Sequence, residues 1–118
     1  MWIRIAAIFM FLGVALGAFG SHALKTKLND YSFDVYKTAV LYHLIHALGI
    51  FIVAYLSSLG ANSKIQWAGI CLVAGIILFS GSLYLLAITG QKWLGAITPL
   101  GGFAFLSAWG LIVLTATH

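Results

Sequence analysis

A chain of 118 residues, 63% hydrophobic and only 7% charged, has too little ionic surface to coat a soluble globule of its size, so a membrane protein is the natural reading. Its net charge of +4 comes from six basic residues spread thinly at the ends of apolar runs, where Lys and Arg meet lipid headgroups. With neither a basic cluster nor a soluble surface to carry one, nucleic-acid binding is set aside.

Residues 5–24, 38–63, 65–91 and 93–118 contain no Asp, Glu, Lys or Arg. Each reaches the roughly 20 residues that a helix needs to cross about 30 Å of hydrocarbon. The expected fold is all-α. It is an antiparallel up-down bundle of four transmembrane helices over about 4–23, 37–58, 65–88 and 93–115, forming one domain across 1–118. The only connection of any length, residues 25–37, leaves room for a short interfacial helix between the first and second spans. Cys71, the single cysteine, lies inside the third span and forms no internal disulfide.

The first span closes in GAFGSHALKTKL, residues 17–28. As a phosphate loop, this stretch lacks the Gly-Lys-Ser/Thr ending and a preceding strand. As a cleaved export signal it has Arg4 before the apolar run and Ala18-Phe19-Gly20 as a small-x-small site, but the run is long and further spans follow. Read as a helix, Gly13, Gly17 and Gly20 fall on one stripe beside Ser21, a seam that lets a neighbouring backbone approach. His22, at about 100° per residue, falls on a different face with Ala15 and Ala18. Leu24, Leu28, Tyr31 and Val35 then recur at helical spacing while Lys25, Lys27, Asp30 and Asp34 take other faces, the pattern of the interfacial helix. An irregular loop turning at Asn29-Asp30 competes with it.

The second span carries YKTAVLYHLIHALGIF, residues 36–51. Ala39, His43, His46 and Ile50 share a face, with Tyr42 one turn before His46. His46 falls near the bilayer midplane, where an ionisable side chain faces protein or water and suggests a function. A neutral histidine hydrogen-bonded across the bundle is the competing account. His43 and His46 at i, i+3 supply only two ligands, short of the usual three or four, so no metal is expected.

In the third span, Ala68, Cys71, Gly75 and Ser82 form a small-residue stripe, and Ser80 and Tyr84 lie on an adjacent face. Serines in such helices also bond back to the preceding turn. The fourth span opens with Thr98-Pro99-Leu100-Gly101-Gly102, where Pro99 removes a donor and a kink is expected.

If the spans alternate in direction, His22, Tyr42, His43, Ser80, Ser82, Tyr84, Thr98 and Pro99 all fall in one half of the bundle, with His46 at its floor. The other half is almost wholly aliphatic and aromatic. This asymmetry predicts a polar pocket opening between the first and third loops, with His22 and His46 lining it together.

Taken in order, LGAFGSHAL, AVLYHLIHAL, LFSGSLYLLA and ITPLGGFAFLSAWGL resemble the YgdD/YwdK-like family of small bacterial membrane proteins with mitochondrial relatives. The resemblance covers nearly the whole chain and implies a four-helix inner-membrane protein without an established activity. The family pattern points to Gly17, Gly20, His22, Tyr42, His46, Ser80, Gly81, Ser82, Tyr84, Thr98, Pro99, Gly101 and Gly102. Gly13, Gly17, Gly20, Gly75, Gly81, Gly101 and Gly102 are assigned to helix packing. His22, Tyr42, His46, Ser80, Ser82, Tyr84 and Thr98 are assigned to a ligand pocket. His43 departs from the pattern, since relatives tend to have glutamine there, which leaves His46 as the preferred residue. Lys25, Lys27, Lys37 and Lys92 on one face against Arg4 and Lys64 on the other would put the termini outside. The family resemblance implies cytoplasmic termini, and that orientation is adopted.

Four functions compete. In order, they are a structural or accessory bundle that docks a larger membrane complex or self-associates, a binder of a quinone or lipid through His46 and Tyr42, an oligomeric proton or ion conductor, and a haem protein. No enzyme, no cofactor and no partner beyond the bilayer and such a complex is expected. No span holds a carboxylate, and a serine and histidine without an orienting acid do not make a hydrolase.

Overall fold

The computed structural model describes residues 1–60 and 62–116, and within them four helical stretches are long and apolar enough to cross a membrane: Trp2–Leu24, Asp30–Leu59, Ser63–Thr89 and Lys92–Thr115. The first consists of α1 (Trp2–Phe19) and a π-helical turn (Gly20–Leu24), and the second is the single helix α2 (Asp30–Leu59). The third joins α3 (Ser63–Gly75) to α4 (Gly81–Thr89) through a second π-helical turn (Ile76–Ser80), and the fourth is a 3₁₀ turn (Lys92–Ala96) leading into α5 (Thr98–Ala116).

Local chemistry sets the ends. Asn29 caps α2 by accepting from the Ser32 amide at 2.7 Å, and Asn62 caps α3 by accepting from the Ile65 amide at 3.0 Å, each satisfying an amide that has no partner within its helix. Gly90 ends α4 in the left-handed region, φ 72°, which only glycine adopts freely.

The interfacial helix is not a separate element. Its residues from Asp30 onward form the first turns of α2, because the Asn29 cap starts the helix there and nothing interrupts it before the apolar stretch. Pro99 does not kink a running helix either. It sits in the first turn of α5, where its missing N–H costs no helical bond. The break falls just before it, where the 3₁₀ turn gives way to α5.

Pairs of residues in contact fix the antiparallel order. Gly13, Gly17 and Gly20 on the first span meet His43, Val40 and Tyr36 on α2. Along α2 and the third span the partners are Ala39 with Ser80, Gly49 with Leu72 and Ser57 with Gln66. Between the third and fourth spans they are Gly75 with Phe105, Phe79 with Gly101 and Ser82 with Thr98. The second and third spans are central, burying 39% and 33% of their apolar stretches against 17% for each flanking span. The bundle is flattened, with extents of 48 × 26 × 18 Å.

One continuous core, including Ile50, Val53, Ala68, Leu72, Phe105 and Ala108, fills the half opposite the polar residues. A polar chain lies at the rim of that half. Trp2 Nε1–H donates to Gln66 Oε1 at 2.8 Å, and Gln66 Nε2–H donates to Ser57 Oγ at 3.2 Å. The Trp2 ring lies over Gly69, where an added Cβ would come within 2.5 Å of it.

Candidate functional site

The polar half is built around His43, which is buried. Its Nε2 lies 2.7 Å from the Phe9 carbonyl of α1, and its Nδ1 lies 2.8 Å from the Tyr84 hydroxyl of α4. A carbonyl can only accept, so the ring carries its hydrogen on Nε2 and accepts from Tyr84 at Nδ1. One imidazole thus ties three spans together with both nitrogens used. Gly13 makes this possible, since a Cβ there would stand 3.3 Å from His43 Cδ2 and 2.7 Å from Leu44 Cδ2.

Four more bonds surround it. The Tyr36 hydroxyl donates to the Leu16 carbonyl across the glycine seam, and a Cβ on Gly20 would strike the Tyr36 ring at 2.4 Å. Ser80, fully buried, donates to the Ala39 carbonyl at 2.8 Å. The Ser82 and Thr98 hydroxyls share a hydrogen bond of 2.6 Å between α4 and α5, and Ser82 also bonds back to the Phe79 carbonyl at 3.0 Å. Among the described residues, no fully buried side-chain nitrogen or oxygen lacks a partner. In hydrocarbon this matters, because an unsatisfied polar group has no water to turn to.

The predicted polar pocket therefore takes a different form. Ser80, Ser82, Tyr84 and Thr98 do converge in one half of the bundle, but they close on each other and on backbone carbonyls instead of lining a space. A cleft of about 580 Å³ does open between the first and third loops, and Asn29, Tyr31, Ser32, Leu86 and Lys92 line it with Gly90 and Gly95. Tyr42 and His46 face a different groove, of about 480 Å³, which opens sideways between α2 and α5 beside Phe79, Phe105, Leu106 and Trp109. Pro99 and Gly102 sit on the rim of this groove.

His22 does not join His46. It lies exposed on the first π-helical turn and is not among the residues lining the groove that His46 faces. An i→i+5 turn inserts an extra residue, so a face counted at 100° per residue slips there. The seam glycines also divide. A Cβ added at Gly13, Gly20, Gly75 or Gly101 would come within 3.0 Å of a neighbour, and one at Gly17 would stand 3.2 Å from Val40. Gly102 would meet only ordinary contacts at 3.8 Å, and Gly81 nothing nearer than 4.0 Å. Neither position therefore depends on glycine for close packing.

Several contributors stand outside the candidate residues read from the sequence. Phe105 stacks on His46 with centroids 3.5 Å apart, and Trp109 stands 5.8 Å away. Their i, i+4 spacing on the fourth span is the clue that could have placed them. Gly49 and Gly69 admit Trp109 and Trp2 rings, and only a partner's position reveals that role. No three of His, Cys, Asp and Glu come together among the described residues.

Four apolar spans held together by interhelical hydrogen bonds define a small multi-pass membrane protein. Comparison with known proteins gives the family. A family model described as "Protein of unknown function (DUF423)" matches residues 16–102. The chain is 49% identical over 117 residues to UPF0382 membrane protein YwdK of Bacillus subtilis, covering 98% of this chain and 95% of that protein. It is 40% identical over 116 residues to a UPF0382 membrane protein of Staphylococcus haemolyticus, covering 98% and 93%. The chain belongs to the DUF423 family, the YwdK-like membrane proteins whose molecular function is not established. No solved structure matches it.

Proposed function

We propose that this protein is a non-enzymatic accessory bundle of the bacterial inner (plasma) membrane, with cytoplasmic termini, that presents a fixed apolar surface to a larger membrane complex or to further copies of itself. The supporting observation is the internal satisfaction of the polar half. His43, Tyr84, Ser80, Tyr36, Ser82 and Thr98 each take part in a hydrogen bond that joins helices, which favours a rigid scaffold over a reaction site. The chain's two carboxylates, Asp30 and Asp34, lie at the membrane-surface end of α2, with Asp34 3.4 Å from Lys37. That is remote from both central histidines and leaves them without an acid partner.

The surface offered is the outer face of the flanking spans, where Phe11 and Val113 are exposed. Photo-crosslinking residues placed at Phe11 and at Val113 in native membranes test this reading. A discrete protein adduct from either position supports it, and adducts to lipid alone from both overturn it. A C-terminal fusion to a reporter that fluoresces only in the cytoplasm tests the orientation.

A further inference from the structure

His46 differs from His43 in one respect. Its Nδ1 lies 2.8 Å from the Tyr42 carbonyl, so the hydrogen sits on Nδ1, and in the neutral ring Nε2 carries a bare lone pair. Nε2 has no hydrogen-bond partner among the described residues, although the residue is only 5% exposed. It is not among the fully buried atoms, so its remaining exposure opens onto the groove that it lines. An acceptor left this way in hydrocarbon is unfavourable unless something donates to it.

Depth and walls restrict the donor. At about 1.5 Å per residue, His46 stands about 24 Å along α2 from Asp30 and about 20 Å from Leu59, near the midplane. Phospholipid headgroups lie well above and below that level, and acyl chains have no donor. The walls are rings. Tyr42, Phe105 and His46 are nearly coplanar in orientation, with interplanar angles of 6° between Tyr42 and His46 and 10° between His46 and Phe105. Phe79 and Trp109 flank them. A flat ring packs well against such surfaces, and the groove's volume of about 480 Å³ falls in the usual range for small-molecule sites, roughly 300–1,000 Å³.

We propose that this groove binds a lipophilic ring bearing a hydroxyl group, such as a hydroquinone, whose O–H donates to His46 Nε2. A quinone, which has only carbonyl acceptors, gives Nε2 nothing to accept and binds more weakly. The site therefore distinguishes the reduced from the oxidised form of one ring. This goes beyond the accessory role and does not depend on it, because His46 takes no part in the interhelical hydrogen bonds.

The test uses the full chain in lipid nanodiscs, with imidazole-¹⁵N histidine and two probes, tert-butylhydroquinone and tert-butylbenzoquinone. The hydroquinone is expected to bind at least about tenfold more tightly than the quinone and to move the His46 Nε2 resonance. His46→Phe keeps the stack on Phe105 and should abolish the preference. Leu106→Trp leaves His46 intact, fills the groove from its exposed side, and should abolish binding of both probes. Equal affinity for the two probes, an unmoved Nε2 signal, or binding that survives both substitutions would overturn the proposal. So would a second copy found crosslinked through Leu106 and covering the groove.

Discussion

Gly101→Ala and Gly102→Ala, one residue apart in the first turns of α5, should behave oppositely. At Gly101 the new methyl would stand 2.3 Å from the Phe79 backbone nitrogen and 2.7 Å from its Cα, whereas ordinary contact begins at 3.4 Å. These are backbone atoms of a helix, so relief requires α5 to move about 1 Å away from the third span. Overpacking of this kind costs about 1–3 kcal/mol. The same shift would stretch the Ser82–Thr98 hydrogen bond from 2.6 Å beyond useful length, adding about 0.6 kcal/mol for an average interhelical bond in a membrane. Offset by the intrinsic preference of a helix for Ala over Gly, about 1 kcal/mol, the expected net loss for Gly101→Ala is about 1–3 kcal/mol. At Gly102 the methyl meets only the Phe79 ring at 3.8 and 3.9 Å. The intrinsic preference of a helix for Ala over Gly, about 1 kcal/mol, then leaves Gly102→Ala neutral or stabilising. Reversible unfolding in mixed micelles on SDS titration, followed by far-UV circular dichroism, measures both. Equal effects, or a larger loss at Gly102, would refute the close approach of α5 to Phe79.

Gly20→Ala drives a methyl to within 2.4 Å of the Tyr36 ring and should destabilise the bundle by about 1–3 kcal/mol, as read by the same unfolding assay. Tyr84→Phe leaves His43 Nδ1 without its donor and should lose about 1–2 kcal/mol. In a double-mutant cycle with His43→Phe, the two losses should be far from additive. His22→Ala, at an exposed turn, should stay within about 0.5 kcal/mol of the wild type in the same assay.

The parts of this fold legible in the sequence are those set by composition and spacing. Uninterrupted apolar runs fixed the four spans, and the Gly13–Gly17–Gly20 stripe marked the face on which α1 meets α2. The clustering of polar residues in one half followed from alternating direction alone. What that half does was not legible, because its acceptors are the backbone carbonyls of Phe9, Leu16 and Ala39, which every residue possesses and no side-chain pattern reveals. A pocket and a clamp look the same until those partners are placed. The two π-helical turns, Gly20–Leu24 and Ile76–Ser80, leave no clear mark in sequence and shift the faces on which His22 and Ser80 fall. The family resemblance favours His46 over His43, yet His43 makes the three-helix junction, and His46 turns to a side groove.

The opposite hydrogen placement on these two rings offers the most direct test of the account. Nitrogen-15 spectroscopy of histidine-labelled protein in lipid distinguishes a hydrogen on Nδ1 from one on Nε2 for each neutral ring. If the polar half is an internal clamp, His43 will carry its hydrogen on Nε2, donated to the Phe9 carbonyl, and His46 will carry its own on Nδ1, donated to the Tyr42 carbonyl. A His43 ring with its hydrogen on Nδ1, or one exchanging freely between the two forms, would mean that it does not join the three spans, and the clamp would be contradicted.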